Sequence, residues 1–69
     1  MTNVGARIRE IREEKRLYIR EVAERTGLTV NGIARIERGE VSPNVDSVER
    51  LASALDVEPG ELFPKALAR

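Results

Sequence analysis

Cysteine and histidine are absent from this 69-residue sequence, and lysine occurs only at Lys15 and Lys65. Without cysteine there is no disulfide, and without either residue the soft-metal sites have no ligands, so no metal and no cofactor is expected. The same absences remove the usual general bases and covalent nucleophiles. Every carboxylate falls in a helical polar pattern or beside a cap, so no residue is assigned to catalysis and the chain is not expected to be an enzyme. No apolar run approaches the ~20 residues of a membrane span, and the opening residues carry no signal-peptide pattern. With 35% charged residues, these readings predict a cytoplasmic chain with no membrane partner and no evident small-molecule ligand.

What remains is one small domain near the lower size limit for a single core. The hydrophobic class is 41%, but seven of its members are alanine, which leaves 21 larger apolar side chains. A chain this short usually needs a staple, and with disulfides and metals excluded the one left is a second subunit. Net charge is zero but unevenly spread: residues 1–38 carry nine basic and six acidic side chains, and residues 39–69 three basic and six acidic. Such asymmetry suits one face for a polyanion and leaves the other to solvent or a partner.

The periodicity is helical throughout, and nothing reads as a strand. Val4, Ile8 and Ile11 form one stripe of a first helix running to about Lys15, with Thr2 or Asn3 as its cap. Leu17 is a buried spacer before a second helix, about Ile19 to Thr26, whose Glu21 can reach back to the helix start and whose end is Gly27. Leu28 plugs the core, Thr29 caps a third helix from about Val30 to Arg38, and Gly39 stops it. Residues 40–44 form a loop in which Asn44 caps a fourth helix with Val45, Val48, Leu51, Ala52 and Leu55 along its apolar stripe. Pro59 suits the first turn of a short fifth helix closed by Leu62 and Phe63, and Pro64 precedes a short tail. The expected organisation is therefore a domain over residues 1–64 and a tail over 65–69.

Residues 19–38 carry the functional signal. Ala23 falls where the second helix crosses the third, Gly27 lies four residues later at the turn, and Ile33 six beyond that. With Val22, Leu28 and Ile36, this is the spacing of a helix-turn-helix, a motif that places its second helix in the major groove of DNA. A plain helical hairpin that binds nothing shares the same small residues.

Beyond these residues, Val4-Gly5-Ala6-Arg7-Ile8-Arg9-Glu10-Ile11-Arg12, Ile33-Ala34-Arg35-Ile36-Glu37-Arg38-Gly39, Ser42-Pro43-Asn44, Leu51-Ala52-Ser53-Ala54-Leu55-Asp56-Val57 and Glu61-Leu62-Phe63 follow in order. In this the chain resembles the repressor/Cro-type (Xre-family) helix-turn-helix domain along nearly its whole length, as found in small phage-type repressors and restriction–modification controller proteins. The resemblance implies an all-α, compact five-helix bundle of the lambda-repressor-like type that binds double-stranded DNA as a homodimer and regulates transcription. RNA polymerase is a further partner it suggests. Three positions depart from the family: Tyr18 and Ile19 replace small polar residues and glutamine that touch DNA backbone, and Glu40 stands where a basic residue is common.

A third helix in the major groove would turn Thr29, Val30, Asn31 and Arg35 to the base edges. Arg35 can fork onto guanine, Asn31 onto adenine, and Val30 can pack on a thymine methyl. Tyr18, Arg20, Arg38 and Asn44 are placed for phosphates, with helix capping as the main task of Asn44. In the family an arginine and a glutamate at the positions of Arg12 and Glu37 pair between the first and third helices. Leu55, Val57, Leu62, Phe63 and Leu67 exceed what five short helices can hide, and are the expected dimer interface on a pseudo-palindromic operator. The competing reading is a protein-interaction module, adaptor or antitoxin-like, that uses the same fold to hold a protein.

Overall fold

The computed structural model describes residues 3–63, which form four α-helices and one 3₁₀ turn. Helix α1 spans Val4–Glu14, α2 Ile19–Thr26, α3 Val30–Glu37 and α4 Val45–Leu55. The architecture is all-helical, but the expected fifth helix is not there. Pro59–Leu62 make a single 3₁₀ turn instead. The cause lies in the sequence: Phe63 precedes Pro64 and adopts the extended backbone (φ −97°, ψ 138°) that a residue before proline prefers. With Pro59 fixing one end, there is room for one turn. The tail expected over residues 65–69 and the interface residue Leu67 lie outside the described residues.

Local chemistry sets each boundary. Asn3, Thr29 and Asn44 cap α1, α3 and α4, their side-chain oxygens accepting from the N–H groups of Ala6 (2.8 Å), Gly32 (2.9 Å) and Ser47 (2.8 Å). At α2 the reverse arm operates: the N–H of Tyr18 donates to Glu21 Oε1 at 2.8 Å. Every helix ends on a left-handed residue, and at two of the ends it is not glycine. Gly27 and Gly39 both have φ 78°, whereas Arg16 has φ 57° and Asp56 φ 59°. At α1 the N–H groups of Arg16 and Leu17 donate to the carbonyls of Glu13 and Arg12, the paired closure that satisfies two orphan carbonyls at once.

The apolar stripes meet in one core of Ile8, Ile11, Val22, Ile33, Ile36, Val48, Leu51 and Leu55, completed by Leu62 from the 3₁₀ turn. Helix α3 packs against α1 and α2, while α4 packs against α2 and the 3₁₀ turn. Burial of a side chain the size of Leu62 contributes about 1.5–3 kcal/mol, enough to hold so short a segment in place as a lid. Two arginines tie helix ends across the α2–α4 contact. Arg25 donates to the carbonyl of Ala54 at 3.1 Å, and Arg50, itself paired with Asp46, donates to that of Thr26 at 3.2 Å. Among the described residues no helix is long and apolar enough to cross a membrane, and no group of acidic residues could hold a metal ion.

Candidate nucleic-acid interface

Helix α3 has an anchored inner face and an open outer one. Ile33 and Ile36 point into the core, and Ile33 is fully buried. On the opposite side Thr29, Val30, Asn31 and Arg35 are all exposed, with Val30 at 48% and the Arg35 side chain at 50%. The four residues assigned to base readout are therefore all open to solvent, from the Thr29 cap to Arg35 in the last turn of α3. Thr29 is also its cap: its oxygen is taken by the Gly32 N–H, which leaves its hydroxyl hydrogen to donate outward. A Cβ on Gly32 would lie 2.9 Å from that oxygen, so glycine keeps the cap uncrowded.

Two contacts hold α3 at its angle. The first is between backbones: a Cβ on Gly5 of α1 would collide with the carbonyl oxygen of Ile36. Only glycine permits that approach. The second is ionic. Arg12 Nε donates to Glu37 Oε2 at 2.8 Å and Arg12 Nη2 to Glu37 Oε1 at 3.1 Å, a two-pronged pair, while Arg12 Nη1 donates to the Leu17 carbonyl at 2.8 Å. The Glu37 side chain is 4% exposed and that of Arg12 12%. The hydrogen bonds to Glu37 hold the Arg12 guanidinium above its usual pKa.

The residues assigned to phosphates are exposed at the starts of α2 and α4 and just after α3. Tyr18, at the start of α2, is 70% exposed, and its side chain makes no capping bond to the helix. Arg20, two residues on, is exposed and unpaired among the described residues. Asn44 is exposed and caps α4 through Oδ1, so its amide donors remain for another acceptor. Arg38 is exposed, but its Nε donates to Glu40 Oε2 at 2.6 Å. That bond raises the Arg38 pKa, and holds the Glu40 carboxyl below the usual carboxylate range.

The expected dimer residues divide. Leu55 and Leu62 are fully buried within the single chain, so neither can meet a second copy, and their assignment to an interface is corrected. They fill the seat between α4 and the 3₁₀ turn. Val57 is half-buried, and Phe63 remains exposed at 43%.

Sequence reasoning misses four of these contacts. Gly5 was legible as a glycine inside a helix, which costs about 1 kcal/mol and so asks for a packing reason. The carbonyl-seeking roles of Arg25 and Arg50 had no local signature. Glu40 stood out only as an acid among bases.

A helix-turn-helix family model matches residues 8–62. The HTH-type transcriptional repressor RghR of Bacillus subtilis is 34% identical over 67 residues, covering 96% of this chain and 50% of RghR. This chain spans about a quarter to a half of the length of the curated relatives it matches. Among solved structures, the restriction–modification controller protein C.AhdI from Aeromonas hydrophila is 38% identical, with a TM-score of 0.84 over 87% of this chain and 91% of that one. The P22 c2 repressor, solved in complex with a synthetic operator, is 27% identical with a TM-score of 0.83, over 91% of this chain and 96% of that one. The matched relatives carry the names of transcriptional regulators and repressors, not of enzymes. With its motif, its Ile36-Glu37-Arg38-Gly39 signature and a match across most of its length, this chain belongs to the helix-turn-helix family, in its repressor/Cro (Xre) branch.

Proposed function

We propose that this chain is a sequence-specific double-stranded DNA-binding domain of a transcriptional regulator. It acts as a homodimer on a pseudo-palindromic operator. The observation that carries the reading is the outer face of α3: Val30, Asn31 and Arg35 lie open to solvent on a helix whose angle is set by the Gly5–Ile36 approach and the Arg12–Glu37 pair. Rigid placement of a few exposed side chains is what base readout requires. The P22 c2 complex with its operator supports this reading for a fold of the same shape.

In the bound state Arg35 forks onto guanine O6 and N7, Asn31 pairs with adenine, and Val30 packs on a thymine methyl. Tyr18, Arg20, Arg38 and Asn44 contact phosphates on either side, joined by the N–H groups at the start of α2, which no side chain of Tyr18 caps. Ile19 contributes packing rather than a side-chain hydrogen bond.

One α3 touches too few phosphates for tight binding at physiological salt, and a second copy remedies this. With Leu55 and Leu62 spent inside the chain, Phe63 and Val57 supply the apolar contact between copies. A two-fold axis there places two α3 helices about 34 Å apart, one turn of duplex.

Selection from a random duplex library tests both parts. The account expects a short two-fold sequence to be enriched and sedimentation to show a dimer that Phe63→Asp dissociates. An adaptor that holds a protein partner would enrich no sequence. A monomer that bound half-sites as tightly as whole ones would remove the dimer.

A further inference from the structure

The end of α3 gathers two arginines that DNA reading uses and one acid, Glu40, that it does not explain. Gly39, in the left-handed conformation, turns the chain back so that the Glu40 N–H donates to the Arg35 carbonyl at 2.9 Å. The Glu40 carboxylate then lies between two arginines, Oε2 at 2.6 Å from Arg38 Nε and Oε1 at 3.6 Å from Arg35 Nε. All three side chains are about half exposed, at 50%, 52% and 47% for Arg35, Arg38 and Glu40. Ion pairs so exposed contribute little to folding stability, so the fold does not need Glu40. Its consequence falls on whatever the two arginines bind.

A guanidinium has five N–H donors, and in both arginines the group facing Glu40 is Nε. The outer nitrogens of Arg35 stay available to fork onto a guanine edge, which is neutral. A phosphate is different. It must approach a guanidinium already half neutralised, and it brings a negative charge toward the Glu40 carboxylate. The same carboxylate thus tolerates base readout and opposes unspecific backbone binding.

Resting on the DNA-binding reading above, we propose that Glu40 is a specificity-determining residue, which pairs with Arg35 at its Nε and weakens the attraction of Arg35 to phosphates of non-cognate duplex, while its pairing with Arg38 bears on cognate and non-cognate duplex alike. Specificity is a difference of affinities, and Glu40 supplies its repulsive half.

The test uses the full chain, a labelled duplex carrying the selected sequence, and a random-sequence duplex of the same length, each titrated at several salt concentrations. Glu40→Gln should bind the random duplex several-fold more tightly and steepen its log K against log salt by about 0.9, one further phosphate. The selected duplex should gain less, so the ratio of the two affinities should fall. Glu58→Gln, which removes the same charge beyond α4, should leave the ratio unchanged. Unaltered random-duplex binding in Glu40→Gln, equal gains on both duplexes, or the same fall in Glu58→Gln would each overturn the proposal. If the wild-type chain shows no preference between the duplexes, it is the DNA-reading function that fails. A wild-type preference that Glu40→Gln leaves intact removes the Glu40 role alone. Exposure of Glu40 lets the variant fold, and an unchanged melting curve confirms it.

Discussion

Arg12 and Glu37 stand 25 residues apart in sequence, yet both oxygens of the Glu37 carboxylate are held by the Arg12 guanidinium, at 2.8 and 3.1 Å. The pair joins the last turn of α1 to the last turn of α3. Its asymmetry sets the outcome of mutation. Arg12→Ala leaves a carboxylate that is 4% exposed without its counter-charge, whereas Glu37→Ala leaves an arginine that can turn toward water. Arg12→Ala should therefore cost about 3 kcal/mol in chemical denaturation, and Glu37→Ala less. The double variant should lose less than the two singles together, because the lost interaction is shared. Strictly additive losses would show that the pair carries no coupling. Both singles should also weaken DNA binding without changing which base is preferred, since neither side chain reaches a base.

Gly5 makes the sharper steric test. An alanine there puts its Cβ into the Ile36 carbonyl, so α1 and α3 must move apart. Overpacking of this kind costs about 1–3 kcal/mol. Because the element displaced is the recognition helix, DNA affinity should fall at protein concentrations and temperatures where Gly5→Ala is still folded. A variant with unchanged melting temperature and unchanged affinity would mean that the helices do not touch there.

The left-handed helix ends give predictions of opposite sign. Arg16 holds φ 57° with a side chain that disfavours it, so Arg16→Gly should stabilise the fold by about 0.5–1 kcal/mol. Gly39 holds φ 78° in the same role at the end of α3, and Gly39→Ala should destabilise by about 1 kcal/mol or more. Thermal denaturation of the two variants side by side checks the pair of signs.

Arg35 in α3 and Arg38 just after it should separate by function. Arg35→Ala should lose about 1–3 kcal/mol of binding to the selected duplex and relax preference at one base pair in each half-site. Arg38→Ala should weaken selected and random duplexes alike, and flatten the salt dependence by about 0.9. Titrations on a panel of single-base variants distinguish the two patterns. A loss confined to one base position for Arg38→Ala would reverse the assignment.

The elements were legible because their boundaries are written in local chemistry. Asn3, Thr29 and Asn44 cap by their own side chains, and Gly27 and Gly39 terminate because only glycine adopts that backbone freely. Where the chain turns without glycine, at Arg16, the residue type carried no such signal. The expected fifth helix fails because Pro59 suits a helix start, but Pro64 also restrains Phe63 to extended backbone and leaves room for one 3₁₀ turn. Leu55 and Leu62 suit a subunit interface in the sequence because an apolar stripe reads alike whether it meets its own core or a second copy. Only packing decides that, and here Leu62 closes the core of its own chain. The outer face of α3 could be read from the motif. The net of contacts at its C-terminal end could not, since the approach of Glu40 to Arg35 and Arg38 depends on the turn at Gly39 and on three side-chain conformations.

The central claim, that the outer face of α3 reads base edges, is tested most directly by nuclear magnetic resonance of the isotope-labelled chain titrated with the selected duplex. The account predicts the largest amide shifts at Val30, Asn31 and Arg35, smaller ones at Tyr18, Arg20 and Asn44, and a close contact between the Val30 methyls and a thymine methyl. Shifts confined to Glu58–Leu62 and the far side of α4, with α3 unmoved, would contradict it.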